Sequence, residues 1–188
     1  MPKKIANPEE LILKHASELI SEEGYKNFNI RNVAERSGLS IGTIYNYFSN
    51  KNDLIAHLIE FHWEEFYSRI DEFVNGKTDF CQAIKNLYDD FVKFATGFQR
   101  LLIELNFQVF SFNDGRKKQN DFILRLIQKL ADNIEQNYVE QNLITLNNRL
   151  SSKELSEFIV SNFIIMNHMN GYTYVILNKI LSSIVVSK

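Results

Sequence analysis

The sequence predicts an all-α fold of about nine helices. Three observations carry that expectation. Apolar residues recur at three- and four-residue spacing along nearly the whole chain, as amphipathic helices require. Two prolines and seven glycines in 188 residues leave little room for linkers or strand-rich turns. Helix-start signals precede the periodic stretches, notably Asn7-Pro8-Glu9-Glu10 and Ser151-Ser152-Lys153-Glu154. With 45% apolar residues the chain is too hydrophobic to be disordered, and its length suits a small head on a larger body.

The first helix buries Leu11, Ile12, Ala16, Leu19 and Ile20 and ends at Gly24. Residues 29–48 then read as two short helices joined by a tight turn, a helix-turn-helix. Ile30, Val33, Leu39, Ile44 and Tyr47 supply its apolar centre. Ala34 lets the backbones come close, and Gly38 can take positive φ at the reversal. Asn29 caps the first short helix, with Phe28 stapled onto Val33; Ser40 caps the second. Asn50 to Asp53 open a fourth helix running to about Val74. It has two apolar sides: Leu54, Leu58 and Phe61 on one, Ile55, Ile59, Phe66, Ile70 and Phe73 on the other. Such a helix can join two bodies.

A fifth helix carries Phe80, Ile84, Leu87, Phe91 and Phe94, with a break near Gly97 before a sixth over 98–110. Asn113-Asp114-Gly115 marks a turn, and Ile123, Ile127, Leu130, Ile134 and Tyr138 define a seventh helix. The box at Ser151 opens an eighth, which Gly171 separates from a ninth ending near Val186. The expected organisation is a head over residues 6–52, the fourth helix (51–74) as connector, and a body over 75–188.

Once the core of residues 29–48 is assigned, Ile41, Gly42, Thr43, Tyr45 and Asn46 point away from it. They are compact or hydrogen-bonding, unlike the usual Lys/Glu solvated face. Lys26, Arg31, Arg36 and Lys51 against Glu35 alone give residues 25–51 a charge of +3, in a chain of formal charge −2. A small positive patch of this kind suits the phosphates of a DNA duplex.

The segment from Pro8 to Asp53 resembles the N-terminal module of the TetR family of bacterial transcriptional regulators. The resemblance rests on SEEGY (Ser21 to Tyr25), VAERSGLSIGTIYNYFSNK (Val33 to Lys51) and Asp53-Leu54, about a quarter of the chain. It implies a homodimeric, ligand-responsive regulator, most often a repressor, that binds a palindromic operator. Ser40 to Tyr47 would then enter the major groove. Thr43, Tyr45 and Asn46 would reach bases, Ile41 a thymine methyl, and Gly42 would allow close approach. Arg31, Tyr47 and Lys51 would hold phosphates. Relatives often carry His where this chain has Asn46.

The same resemblance implies a cavity for a small hydrophobic or aromatic effector among the predicted helices four to eight. The chain holds fifteen Phe, eight Tyr and one Trp, and the candidate walls are Trp63, Phe66, Phe91, Phe94, Phe107 and Phe110 together with His168, with Glu104 as the acid to watch. The last two helices are the expected dimer interface, through Phe158, Phe163, Met166, Met169, Val175 and Ile176. Two other readings compete. One is a constitutive DNA-binding protein with a solid aromatic body; the other is a helical carrier or enzyme with a vestigial head.

Enzyme signals are thin, and no cofactor or metal is expected. His15, His57, His62 and His168 form no HExxH or Cys/His ligand pattern. On a helix, His57 and His62 point roughly 140° apart. No Gly-rich phosphate loop or nucleophile elbow occurs, and Arg116-Lys117-Lys118 reads as a solvated loop. The single cysteine, Cys81, excludes an internal disulfide and suits a reducing cytosol. No signal peptide is visible, so a cytoplasmic protein is expected. Residues 158–178 lack Asp, Glu, Lys and Arg, long enough to span a bilayer. Their asparagines and His168 make the segment too polar for hydrocarbon, so no membrane partner is expected.

Overall fold

The computed structural model describes residues 7–24, 27–104, 112–147, 150–168 and 173–187, without side chains at 98–104, 112–119, 168 and 187. The order is α1 (Pro8–Glu23), α2 (Ile30–Ser37), α3 (Ile41–Tyr47), α4 (Lys51–Phe73), α5 (Phe80–Glu104) and α6 (Phe112–Ile134). A π-helical turn (Glu135–Val139), β1 (Ile144–Leu146), α7 (Ser152–His168), α8 (Tyr174–Ile184) and β2 (Val185–Ser187) follow. The described residues form two compact units. The first holds residues 7–64 with the end of α5 from residue 98; the second holds Glu65–Gly97 and residues from 112 onward.

In the first unit, Asn7 Oδ1 accepts the Glu10 N–H at 3.3 Å, and Pro8 stands where no amide partner is needed. Gly24 closes α1 at φ 76°. The buried stripe of α1 is Ile12, Leu13, Ala16, Leu19 and Ile20. Phe28, Val33, Ala34, Ile44 and Phe48 complete the core with Leu54, Ile55, Leu58, Ile59 and Trp63 of α4. Tyr47, expected at the centre, is instead exposed, and the adjacent Phe48 is fully buried. α3 ends at Tyr47 and the chain turns extended at Phe48 (φ −131°, ψ 116°), so the inward direction passes to the next side chain.

The second unit packs the rest of α4 with α5 as far as Gly97 and with α6 to α8. Phe66 stacks on Phe94 with centroids 4.8 Å apart and meets Phe91 edge-on at 5.9 Å. Phe91 continues to Phe163, and Phe163 to Tyr88. Polar ties fix the frame. Tyr67 donates to the Phe122 carbonyl at 2.7 Å, Tyr138 to the Thr78 carbonyl at 2.9 Å, and Arg69 Nε to Asp90 at 2.7 Å. Asp71 accepts from Lys129 at 2.7 Å and Asn133 at 3.0 Å. Burial opposes its ionisation, yet these two hydrogen bonds hold its pKa below the ordinary value.

Several expectations are corrected. Eight α-helices are present among the described residues, close to the predicted nine. α5 runs unbroken through Gly97, because one helical glycine costs only about 1 kcal/mol and the flanking apolar spacing continues. Asn113-Asp114-Gly115 lies inside α6, although its composition reads as a turn. β1 and β2 pair antiparallel, Thr145 opposite Val186, a strand signal too short to show a period. The uncharged stretch 158–178 is divided between α7 and α8, and no helix among the described residues is long and apolar enough to cross a membrane. The capping box is as expected: Ser151 N–H donates to Glu154 at 2.9 Å, and Glu154 N–H to Ser151 Oγ at 3.2 Å.

Gly76 follows α4 at φ 75°, and a Cβ there would stand 2.5 Å from the Asn137 carbonyl oxygen in the π turn. Among the described residues nothing lies within 4 Å of a Cβ built at Gly97. Gly76→Ala is therefore expected to lower stability by roughly 2 kcal/mol or more, and Gly97→Ala to raise it by up to about 1 kcal/mol. Urea unfolding of the two variants checks both signs.

Candidate nucleic-acid interface

Asn29 starts α2 by accepting the Asn32 N–H at 2.9 Å, and Gly38 ends it in the left-handed region at φ 67°. The Gly38 N–H donates to Ala34 and Glu35 carbonyls, closing the last turn. Ala34 is buried, as the close approach of the two helices requires. Leu39, half-buried, leads to Ser40, whose backbone is extended and whose Oγ accepts the Thr43 N–H at 3.0 Å. Ser40 Oγ also hydrogen-bonds Thr43 Oγ1 at 2.8 Å.

Only Ile44 of α3 is buried. Ile41 (44% exposed), Tyr45 (52%) and Tyr47 (41%) face solvent, with Gly42 and Asn46 exposed and Thr43 half-exposed beside them. Arg31 is exposed on α2. Lys51, the first residue of α4, lies with its ammonium 5.3 Å from the centroid of the Phe28 ring. The start of α4 is held by a double cap. Asn50 accepts the Asp53 N–H at 3.0 Å, and Asp53 accepts the Ser49 N–H at 2.7 Å and its hydroxyl at 3.0 Å. The bonds from Ser49 hold the Asp53 pKa below the usual carboxylate value.

Arg36 departs from the charge reading. It points back to α1, its guanidinium hydrogen-bonded to Glu22 and within 3.7 Å of Glu18 and 3.5 Å of Glu23. The bond to Glu22 and the three carboxylate charges raise its pKa against partial desolvation. Its charge is matched by the carboxylates of α1, so of the expected patch Arg31 on α2 and Lys51 at the start of α4 remain; Lys26 lies outside the described residues. The short-range pattern gave no signal of this, because Glu22 and Arg36 are fourteen residues apart.

The histidines have structural settings. His57 packs edge-on against Phe48 at 5.3 Å, its Nδ1 2.9 Å from the Asp53 carbonyl, and His62 hydrogen-bonds Ser17 at 3.1 Å. Of the expected cavity residues, Trp63 is buried in the first unit, whereas Phe66, Phe91 and Phe94 share the second. Phe107, Phe110 and the side chains of Glu104 and His168 lie outside the described residues. Of the expected interface residues, Phe163 and Met166 are buried within the second unit instead of lying on its surface, and Phe158 is half-buried. Val175 and Ile176 are exposed on α8, as are Ile180 on the same helix and Ile165 on α7, which sequence spacing did not single out. Met169 lies outside the described residues.

Two capped helices joined at a positive-φ glycine, the second showing all but one side chain to solvent, have the form that a helix-turn-helix requires. Residues 12–58 match the model of the family described as bacterial regulatory proteins, tetR family. The match is confined to this N-terminal quarter of the chain, which is similar to the TetR family over those residues. It is 34% identical over 90 residues to YvdT of Bacillus subtilis (strain 168), an uncharacterized HTH-type transcriptional regulator, covering 48% of this chain and 46% of that one. It is 25% identical over 123 residues to the fatty acid metabolism regulator protein of the same organism, covering 65% and 63%. The chain thus spans from about half to just under two thirds of the length of these relatives. The fold is similar to that of reduced NemR from E. coli (TM-score 0.62, 15% identity, 96% of this chain and 99% of that one). It is also similar to the fatty acid degradation regulator FadR from Bacillus halodurans (TM-score 0.55, 20% identity, 95% and 94%).

Because the folded Asp53 carboxyl has a depressed pKa, the unfolded chain binds more protons between the two values. The contribution of Asp53 is therefore complete above its unfolded pKa of about 3.9 and is lost as pH falls through the folded value. Asp53→Asn is expected to flatten the acid limb of stability against pH while leaving the curve near neutrality parallel to wild type. Thermal unfolding across the acid range checks this.

Proposed function

We propose that the chain is a dimeric transcriptional regulator that binds a palindromic DNA operator through α3 and releases it when a small hydrophobic molecule enters the second unit. The observation that carries the reading is the outward face of α3. Ile41, Tyr45 and Tyr47 hold apolar surface in water beside Thr43 and Asn46, on a helix fixed by a cap and one buried anchor. In a major groove the same face has uses: Thr43, Tyr45 and Asn46 for base edges, Ile41 for a thymine methyl. Arg31, Tyr47 and Lys51 would hold phosphates and set register.

Gly42 adds support. Among the described residues an alanine Cβ there would meet only Ser40 Oγ, at 3.8 Å, so none of them demands glycine. A surface approaching from outside would.

Two recognition helices about 34 Å apart would read successive major grooves, which makes a two-fold dimer the natural form. Val175 (61% exposed) and Ile176 (51%) offer the apolar surface for it, and sedimentation as a monomer at micromolar concentration would remove this part. For the effector, Phe66, Phe91 and Phe94 are the walls of choice, and similarity to a fatty acid metabolism regulator is in keeping with an apolar ligand. α4, one helix from Lys51 to Phe73, would transmit the response. A compound that raises the melting temperature yet leaves duplex affinity unchanged contradicts this coupling. The mutual packing of Phe66, Phe94, Phe91 and Phe163 favours the second reading, a constitutive DNA-binding protein with a filled body.

The test is retention of duplexes from a random-sequence library, followed by salt titration on a recovered site. Lys51→Ala is expected to weaken binding to all sequences and to lower the salt slope by roughly one. Gly42→Ala is expected to leave stability equal or raise it by up to about 1 kcal/mol while weakening duplex binding. Failure of the wild-type protein to retain any duplex overturns the reading.

A further inference from the structure

α1 ends badly by itself. Glu22 and Glu23 occupy its last turn, where the unpaired carbonyls already make the helix end negative, and the turn holds no basic residue. Glu18, one turn earlier, adds a third carboxylate and shares its Oε2 with His15 Nδ1 at 3.0 Å. Three like charges would repel along one edge of the helix. The cation that relieves them comes from α2. Arg36 spreads its three guanidinium nitrogens over Glu18, Glu22 and Glu23, so that one side chain ties the end of α1 to the helix that carries the turn into α3.

We propose that Arg36 is a positioning residue for DNA binding: it meets no phosphate, and acts by clamping α2, and through the Gly38 turn α3, to the acidic end of α1. The proposal rests on the DNA reading above. It reverses the expectation that simple electrostatics gives. If the head bound DNA through net charge alone, Arg36→Gln would lower the salt slope, and Glu22→Gln would tighten binding by removing a negative charge. The clamp makes both substitutions harmful. Arg36→Gln already removes the contact that Glu22→Gln would break, so the double variant is no worse than Arg36→Gln alone.

The experiment measures, by fluorescence anisotropy, the affinity of the full chain for a labelled duplex recovered with wild-type protein, across a range of salt. The variants are Arg36→Gln, Arg36→Lys, Glu22→Gln and the Arg36→Gln/Glu22→Gln pair, with helicity checked by circular dichroism. Arg36→Gln and Glu22→Gln are each expected to weaken binding about three- to fivefold, the scale of an exposed ion-pair network, with the wild-type salt slope retained. Arg36→Lys is expected to restore part of the loss, since a point charge can reach the carboxylates but not fork between them. A slope reduced by about one in Arg36→Gln, or tighter binding by Glu22→Gln, overturns the proposal. If wild-type protein retains no duplex, the DNA reading fails separately. The same cycle read by urea unfolding then decides the clamp: non-additive losses uphold it, and additive ones overturn it.

Discussion

A seven-residue helix has no stability of its own, and α3 exists because one side chain, Ile44, is driven completely into the core of the head. Around that anchor the remaining constraints are local: Ser40 closes the front of the helix, and Phe48 takes the chain inward as soon as it ends. With so little of α3 committed to folding, almost all of its surface is left for something else. A longer helix at this place would need a buried stripe and would give up part of its outward face. Brevity is what makes the display possible.

The features legible in the sequence are those that arise within four or five residues. Asn7, Asn29, Ser40 and the Ser151–Glu154 box all close the helices they were expected to close, because a cap is a contact between near neighbours. The turn at Gly38 belongs with them. Most of the inward faces of α1 and α4 was likewise readable from spacing, since burial follows the helical period, although Leu13 is buried where Leu11 was expected and Phe61 and Phe73 are only half-buried. Tyr47 and Phe48 show where period fails. The helix stops between them, and past its end the spacing rule no longer says which of two adjacent aromatics turns in.

Contacts between distant residues were not legible. Arg36 looked like part of a basic face until the fold brought Glu22 to it, and Phe163 looked like surface until Phe91 and Tyr88 enclosed it. Asp71, Lys129 and Asn133 carry no common pattern, yet they tie α4 to α6 across some sixty positions. Gly97 and Asn113 to Gly115 erred in the opposite sense: breaker residues were overruled by helices long enough to absorb them. Propensity is a weak prior beside packing of this extent.

The small ribbon of β1 and β2 has a mechanical consequence. By joining residues 144–146 to 185–187, it knots both ends of the α7–α8 stretch into a closed loop of about forty residues, whose entropy of closure grows only slowly with length. Peeling α8 away therefore requires unzipping the ribbon and withdrawing Val185 from its buried seat. Val175, Ile176 and Ile180 thus ride on an element latched at its far end, and amide exchange along α8 should slow in concert with exchange at the ribbon, as in one opening unit.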